Sequence, residues 1–161
     1  MKQAFALLLL IVACGFGRAF AEIGVPVARD LQKDAAIAKD KNGIVLVMFA
    51  GEHCSYCETV LNEFLIPMSR NADYQAKLVM RKVELSSYES MKNFQGGNTP
   101  HRRFAGDNGV RLVPTVMLFD TEGKLLTKPV VGLGTIDYYG YYLDQAIDKS
   151  LAKARGLPEP K

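Results

Sequence analysis

The chain has 161 residues, 48% of them hydrophobic, and a formal net charge of +3 from 20 basic and 17 acidic side chains. That length supports one domain with a substantial core and is short for two. The apolar content excludes a disordered chain, and so small a charge imbalance gives no footing for nucleic acid, so no nucleic-acid partner is expected.

The first segment reads as an address rather than as part of the fold. Lys2 opens it, Ala4 to Ala13 form an unbroken apolar run, and Ala19-Phe20-Ala21 supplies a small-x-small site before Glu22. This predicts an export signal over residues 1–21, cut after Ala21, and with it a periplasmic location. The run is too short to span a bilayer comfortably. A second reading takes Ile11-Val12-Ala13-Cys14 as resembling a bacterial lipobox, in which Cys14 would be lipidated and anchor the chain. In a third, Cys14 is apolar filler. All of these readings export the protein.

Residues 27–42 are predicted helical, with Leu31, Ala35 and Ala38 on one stripe and Gly43 as the stop. Ile44 to Phe49 is apolar throughout and reads as a buried central strand. After the short loop Ala50-Gly51-Glu52-His53, a helix is expected from Ser55 to Leu65, ended by Pro67. A helical turn over residues 74–77 and a strand over residues 78–85 follow. Residues 86–98 are polar and glycine-rich and read as a loop; Gln95-Gly96-Gly97-Asn98 lacks the lysine and serine of a phosphate loop. Thr99-Pro100 reads as an N-cap with proline at the first helical position, opening a helix to Asp107. Residues 116–119 read as a strand, 120–123 as a hairpin turn and 124–131 as the partner strand. Thr135 opens a last helix to about Ala154, carrying Ile136, Tyr139, Leu143, Ala146, Ile147 and Leu151 at helical spacing. The order implies an α/β fold with a central mixed sheet flanked by helices. One domain is expected over residues 22–161, with its core over about residues 30–153.

Of the three cysteines, cleavage after Ala21 leaves Cys54 and Cys57. A pair closing a two-residue loop restricts the unfolded chain little, and disulfide staples of exported proteins usually join distant cysteines. Chemistry explains this pair better than stability does. Cys54 falls at the mouth of a helix, where unpaired N–H groups and the helix dipole favour thiolate over thiol. Cys57, one turn on, can attack a mixed disulfide held on Cys54. Cys54 attacks and Cys57 resolves. A zinc site would need further ligands; only His53 and His101 are available, and His53 is poorly placed to chelate with both sulfurs. No metal is expected, nor any cofactor beyond the redox pair itself. Glu58 after Cys57 excludes covalent haem attachment.

The match now goes beyond one motif. Met48-Phe49-Ala50 followed by Gly51-Glu52-His53-Cys54-Ser55-Tyr56-Cys57 resembles the active-site region of thioredoxins. Val113-Pro114-Thr115 resembles the family's cis-proline loop, Phe119-Asp120 through Lys124 its following hairpin, and Val131-Gly132-Leu133 its small-residue loop beside the site. The resemblance covers about residues 30 to 153. It implies a thioredoxin-like fold and a cis Pro114, with Val113 offering its backbone to an extended substrate. Read without the resemblance, Pro114 is a trans proline that starts a strand. The resemblance further implies that Ser55, Tyr56, Val113, Pro114, Gly132 and Leu133 border the substrate groove. There are departures. The buried acid six residues before the first cysteine is Met48 here, and the usual tryptophan before that cysteine is His53. Glu52 or His53 is a candidate to tune the Cys54 thiolate; the plain alternative is a solvated His53. The Ser-Tyr interior is unlike that of cytosolic thioredoxin, and Tyr56 before the second cysteine looks more like periplasmic reductases and isomerases; the bare fold with this pair also resembles SoxW-type proteins of sulfur oxidation.

Two further features each admit two readings. Tyr138-Tyr139-Gly140-Tyr141-Tyr142 reads as core packing with an amphipathic rim, or as a docking patch. His101-Arg102-Arg103 reads as a solvated helix face, or as an anion-binding cluster beside Pro114. The resemblance implies a periplasmic thiol–disulfide oxidoreductase acting on protein or small-molecule thiols and disulfides. The chain is too short for the dimerisation domain of periplasmic isomerases. Residues 85–114 are too few for the helical insert of the strong periplasmic oxidase. A monomeric reductase fed by a membrane-bound electron donor is therefore expected. A disulfide oxidase or isomerase, a copper or other metal chaperone using the same two sulfurs, and a binding module with a vestigial pair are the rivals.

Overall fold

The computed structural model describes residues 24–160, so residues 1–21, read above as an export signal, and Cys14 with them lie outside the described residues. Helix α1 (Leu31–Asp40) is shorter than the expected 27–42 and starts at the first residue of its apolar stripe. Asp30 caps it by accepting the Lys33 N–H at 3.0 Å. The preceding residues are extended: Val27 bridges to Lys82, whose N–H donates to the Pro26 carbonyl at 2.8 Å. Gly43 closes the turn because a Cβ there would lie 2.3 Å from the Lys77 carbonyl oxygen.

Strand β1 (Ile44–Ala50) is buried at every position. Alternation explains this: Ile44, Leu46, Met48 and Ala50 enter one apolar cluster, and Val45, Val47 and Phe49 enter the other. Helix α2 (Ser55–Val60) leaves the end of β1 and does not stop at Pro67. A π-turn over Leu61–Leu65 follows, then α3 (Ile66–Arg70) with Pro67 in its first turn. Pro67 has no N–H to give, and its ring crowds the carbonyl four residues back; the wider turn accommodates both defects. One helical run thus spans residues 55–70. Short α4 (Ala72–Gln75) leads to β2 (Leu78–Glu84), which pairs in parallel with β1.

The segment read as a loop is partly ordered as strand. β3 (Ser90–Lys92) pairs antiparallel with β4 (Asn98–Pro100), so Thr99 and Pro100 belong to a strand and not to the first turn of a helix. Helix α5 (His101–Asp107) begins directly after them. Met91 and Phe94 from this insert are buried in the second cluster, where Phe94 meets Phe119 at 5.2 Å and Phe104 at 6.3 Å between ring centroids.

Strand β5 (Thr115–Phe119) pairs antiparallel with β1, completing the sheet order β2-β1-β5-β6. The expected partner strand over residues 124–131 is broken. Leu125 bridges to Phe119, and β6 (Val130–Val131) pairs with Val116 and Thr115. Between these contacts the register slips by two residues around Lys128-Pro129, where proline cannot donate to a ladder. The displaced segment is held from outside: Thr127 and Ser150 hydroxyls lie 3.0 Å apart, and Lys153 Nζ donates to the Leu126 carbonyl. Helix α6 (Ile136–Ala154) buries Tyr139, Leu143, Ile147 and Leu151 against the α2 side of the sheet. The result is the expected mixed sheet with helices on both faces.

Candidate functional site

β1 ends at Ala50, and residues 51–53 turn the chain back into a helix. His53 makes the turn with φ of 53°, a left-handed conformation in which histidine is among the better-tolerated residues. This places Cys54 as the N-cap of α2, extended at φ −95° and ψ 96°. Its sulfur accepts the Cys57 N–H at 3.1 Å. Cys54 and Cys57 are joined by a disulfide with Cα atoms 5.2 Å apart. The two sulfurs differ in access. Cys54 is half-buried, whereas Cys57 is 1% exposed and packed in the first cluster with Met48. Ser55, Tyr56, Glu52 and His53 are exposed around them.

The other candidate residues converge on the same place. The Val113–Pro114 peptide is cis. Pro114 is buried and Val113 half-buried, and the loop is closed by the Thr115 hydroxyl donating to the Leu112 carbonyl at 2.7 Å. Val113 Cγ2 lies 3.2 Å from where a Cβ on Gly51 would stand, so this loop touches the one that presents Cys54. The Gly132 N–H donates to the Pro114 carbonyl at 2.7 Å, with φ of 73° at Gly132. Leu133, Val113 and Cys54 pack against one apolar cluster. Gly51 was missed as a site residue; its only signal is a small residue in the loop entering the motif. Leu112, 57% exposed beside the cis bond, was missed because an apolar residue before a strand reads as core.

Two features go elsewhere. His101 is 1% exposed and is no part of an anion cluster. Its Nδ1 accepts the Glu84 N–H at 3.2 Å. Nε2 must therefore carry the proton, and it donates to the Ala28 carbonyl at 2.9 Å. Both ring nitrogens thus serve the backbone. Arg102 lies over the Tyr88 ring, 5.4 Å from its centroid, and Arg103 pairs with Asp107. Of the tyrosine run, Tyr139 alone is core, 2% exposed and against Phe64 at 4.9 Å; burial pushes its phenol up to about 12. Among the described residues, no three His, Cys, Asp or Glu side chains gather as a metal site.

The geometry has counterparts among known proteins. A family model described as a thioredoxin-like domain matches residues 31–152. No curated protein matches the chain. Among solved structures, thioredoxin O2 from Arabidopsis thaliana in its oxidised state is 16% identical. The match covers 78% of this chain and 96% of that one, with a TM-score of 0.51. A thioredoxin from Malassezia sympodialis is 18% identical over 81% of this chain and 96% of its own, with a TM-score of 0.49. Thioredoxin f from spinach chloroplast is 17% identical over 77% and 96%, with a TM-score of 0.48. With the family model spanning most of the sheet and its helices, and a disulfide at the head of α2, this chain belongs to the thioredoxin-like domain family as a redox protein built on Cys54 and Cys57.

Proposed function

We propose that the protein is a periplasmic thiol–disulfide oxidoreductase that reduces disulfides of other proteins. The observation that carries this reading is the unequal exposure of the pair: Cys54 is half-buried at the head of α2, and Cys57 is buried in the apolar cluster. In the dithiol form, the Cys57 N–H aimed at Cys54 Sγ and the first turn of the helical run favour the Cys54 thiolate. That thiolate attacks one sulfur of a substrate disulfide. A mixed disulfide forms, and the other substrate sulfur leaves as a thiolate that takes a proton from water. Cys57 then loses its proton and attacks Cys54 Sγ, and the second substrate thiolate leaves. Two electrons pass to the substrate, which gains two protons, and the protein is left as the observed disulfide. Met48 offers a thioether where related proteins hold an acid, so the Cys57 proton leaves by the Cys54 side, where Glu52 and His53 are exposed. Val113, Pro114, Ser55, Tyr56, Gly132 and Leu133 form the groove that holds the substrate strand.

The export signal read in residues 1–21 supports the periplasmic assignment. That compartment is oxidising, so a reductase there needs a dithiol donor, and a membrane-bound one fits an exported monomer. Pre-reduced protein should reduce a protein disulfide with loss of its own two thiols. Cys54→Ser should abolish the reaction, and Cys57→Ala should accumulate mixed disulfides on Cys54. The reduction potential should lie nearer about −270 mV than about −120 mV. A retained rate in Cys54→Ser, or a potential at the oxidising end, would overturn the reading.

A further inference from the structure

Among the described residues, the Tyr139 hydroxyl is the one buried side-chain nitrogen or oxygen with no hydrogen-bond partner. Leaving such a group unpaired lowers stability, so its presence calls for a reason. Tyr139 is 2% exposed and belongs to the same apolar cluster as Cys57 and Met48. Strands β1 and β6 both run antiparallel to β5, so α2 and α6, which follow them, begin at the same end of the sheet. Of the buried α6 side chains in this cluster Tyr139 comes first, which makes it the one nearest that end. Helical side chains lean back toward the helix N-terminus, so its phenol is directed toward the redox end. Across from it, Cys57, Leu61 and Phe64 all pack in the cluster, and the Phe64 ring meets the Tyr139 ring at 4.9 Å. Cys57 Sγ is a second unmet atom. Cys54 Sγ accepts the Cys57 N–H, but no hydrogen bond reaches Cys57 Sγ among the described residues. Cys57 is nevertheless the buried member that must become an anion in the exchange cycle, and a buried anion without a donor is costly.

We propose that Tyr139 is a further catalytic residue, whose hydroxyl donates a hydrogen bond to the Cys57 sulfur whenever the disulfide is open. With the disulfide closed, Cys57 Sγ is held to Cys54 and the hydroxyl has no acceptor. When a donor thiolate attacks Cys54 Sγ, the S–S bond breaks and its electron pair goes to Cys57. That side chain is then free to turn to the phenol. In the other half-reaction the same Cys57 thiolate displaces the substrate sulfur from Cys54, and the internal bond forms again. The phenol keeps its own proton throughout. Burial pushes its pKa up to about 12, so it serves as a donor and not as a base. The unpaired hydroxyl therefore burdens the disulfide form alone, and the dithiol form is favoured. This inference rests on Cys57 being the shielded, resolving sulfur.

Tyr139→Phe tests it, because the change removes one oxygen and keeps the ring against Phe64. Equilibrated with a glutathione redox buffer, the variant should favour its disulfide about ten-fold more than the unaltered chain, a potential lower by about 30 mV. Unfolding in urea separates the two redox forms. The substitution should stabilise the disulfide form, which loses an unpaired hydroxyl, and should not stabilise the dithiol form, which loses a hydrogen bond. A small thiol loaded as a mixed disulfide on Cys54 should be released by Cys57 about three-fold more slowly in the variant. An unchanged potential, or equal stabilisation of both forms, would overturn the proposal and leave Tyr139 as packing alone. Neither the potential nor the unfolding uses a protein substrate. A shifted potential in a chain that reduces no protein disulfide would keep Tyr139 in its role and sink the proposed reductase.

Discussion

A Cβ placed on Gly51 would stand 3.2 Å from Val113 Cγ2, so the loop that presents Cys54 and the loop that carries the cis bond pack closely at a residue that lacks a side chain. Gly51→Val should push Val113 aside and lower the rate of disulfide reduction about ten-fold. The fold should survive, because the loop is at the surface and its contact is a side-chain tip. Parallel stopped-flow and thermal unfolding measurements check this; a large loss of stability with normal chemistry would contradict it. At the same scale the sequence was legible for Cys54 and Cys57, whose spacing is itself the signal. It was not legible for His101. A histidine beside two arginines reads as surface, yet its imidazole joins the end of β2 to the segment before α1 through two backbone bonds. Nothing local encodes a partner 73 positions away.

Among elements, the insert between β2 and α5 shows what periodicity cannot see. Met91 and Phe94 are the only large apolar side chains between Tyr88 and His101, too few for either repeat. Phe94 nevertheless closes the second cluster, meeting Phe104 and Phe119 and lying over the hairpin turn, where a Cβ on Gly123 would come within 2.7 Å of it. Phe94→Ala should destabilise the protein by about 3–5 kcal/mol, as expected for a buried aromatic whose site cannot fully collapse. Equilibrium unfolding in urea measures it. A loss below about 1 kcal/mol would mean that the insert only lies against the core. The helix through Pro67 and the broken strand before β6 have the same origin. Proline announces a defect, but whether the chain stops, widens or loops out depends on what packs around it. α6 holds the displaced segment through Ser150 and Lys153, and neither residue signals this in the sequence.

At the scale of the whole molecule, stability against alkali should follow two phenols. The Tyr74 hydroxyl donates to Asp144 at 2.6 Å, tying α4 to α6. Burial first, then the hydrogen bond and charge of Asp144, push its pKa from 10.0 up to about 12. Tyr139 is raised to about 12 by burial alone. In both cases the fold favours the neutral phenol. This contribution is complete below the unfolded value of 10.0 and fades as pH rises through about 12. Tyr74→Phe should be less stable near neutrality and lose less stability between those limits, which urea midpoints across the alkaline range will show. An identical alkaline slope in the variant would remove Tyr74 from the account.

Sequence alone determined the order of the main sheet strands and their flanking helices, the unbroken apolar run of β1 and the two sulfurs three positions apart, because each is written in the spacing of neighbouring residues. Tertiary structure alone decided the rest. It set which sulfur is shielded, brought Val113 and Gly132 to the loop that presents Cys54, and buried Tyr139 while leaving Tyr138, Tyr141 and Tyr142 exposed. Those outcomes depend on contacts between residues far apart in the chain, and such contacts exist only once the sheet has brought its strand ends together.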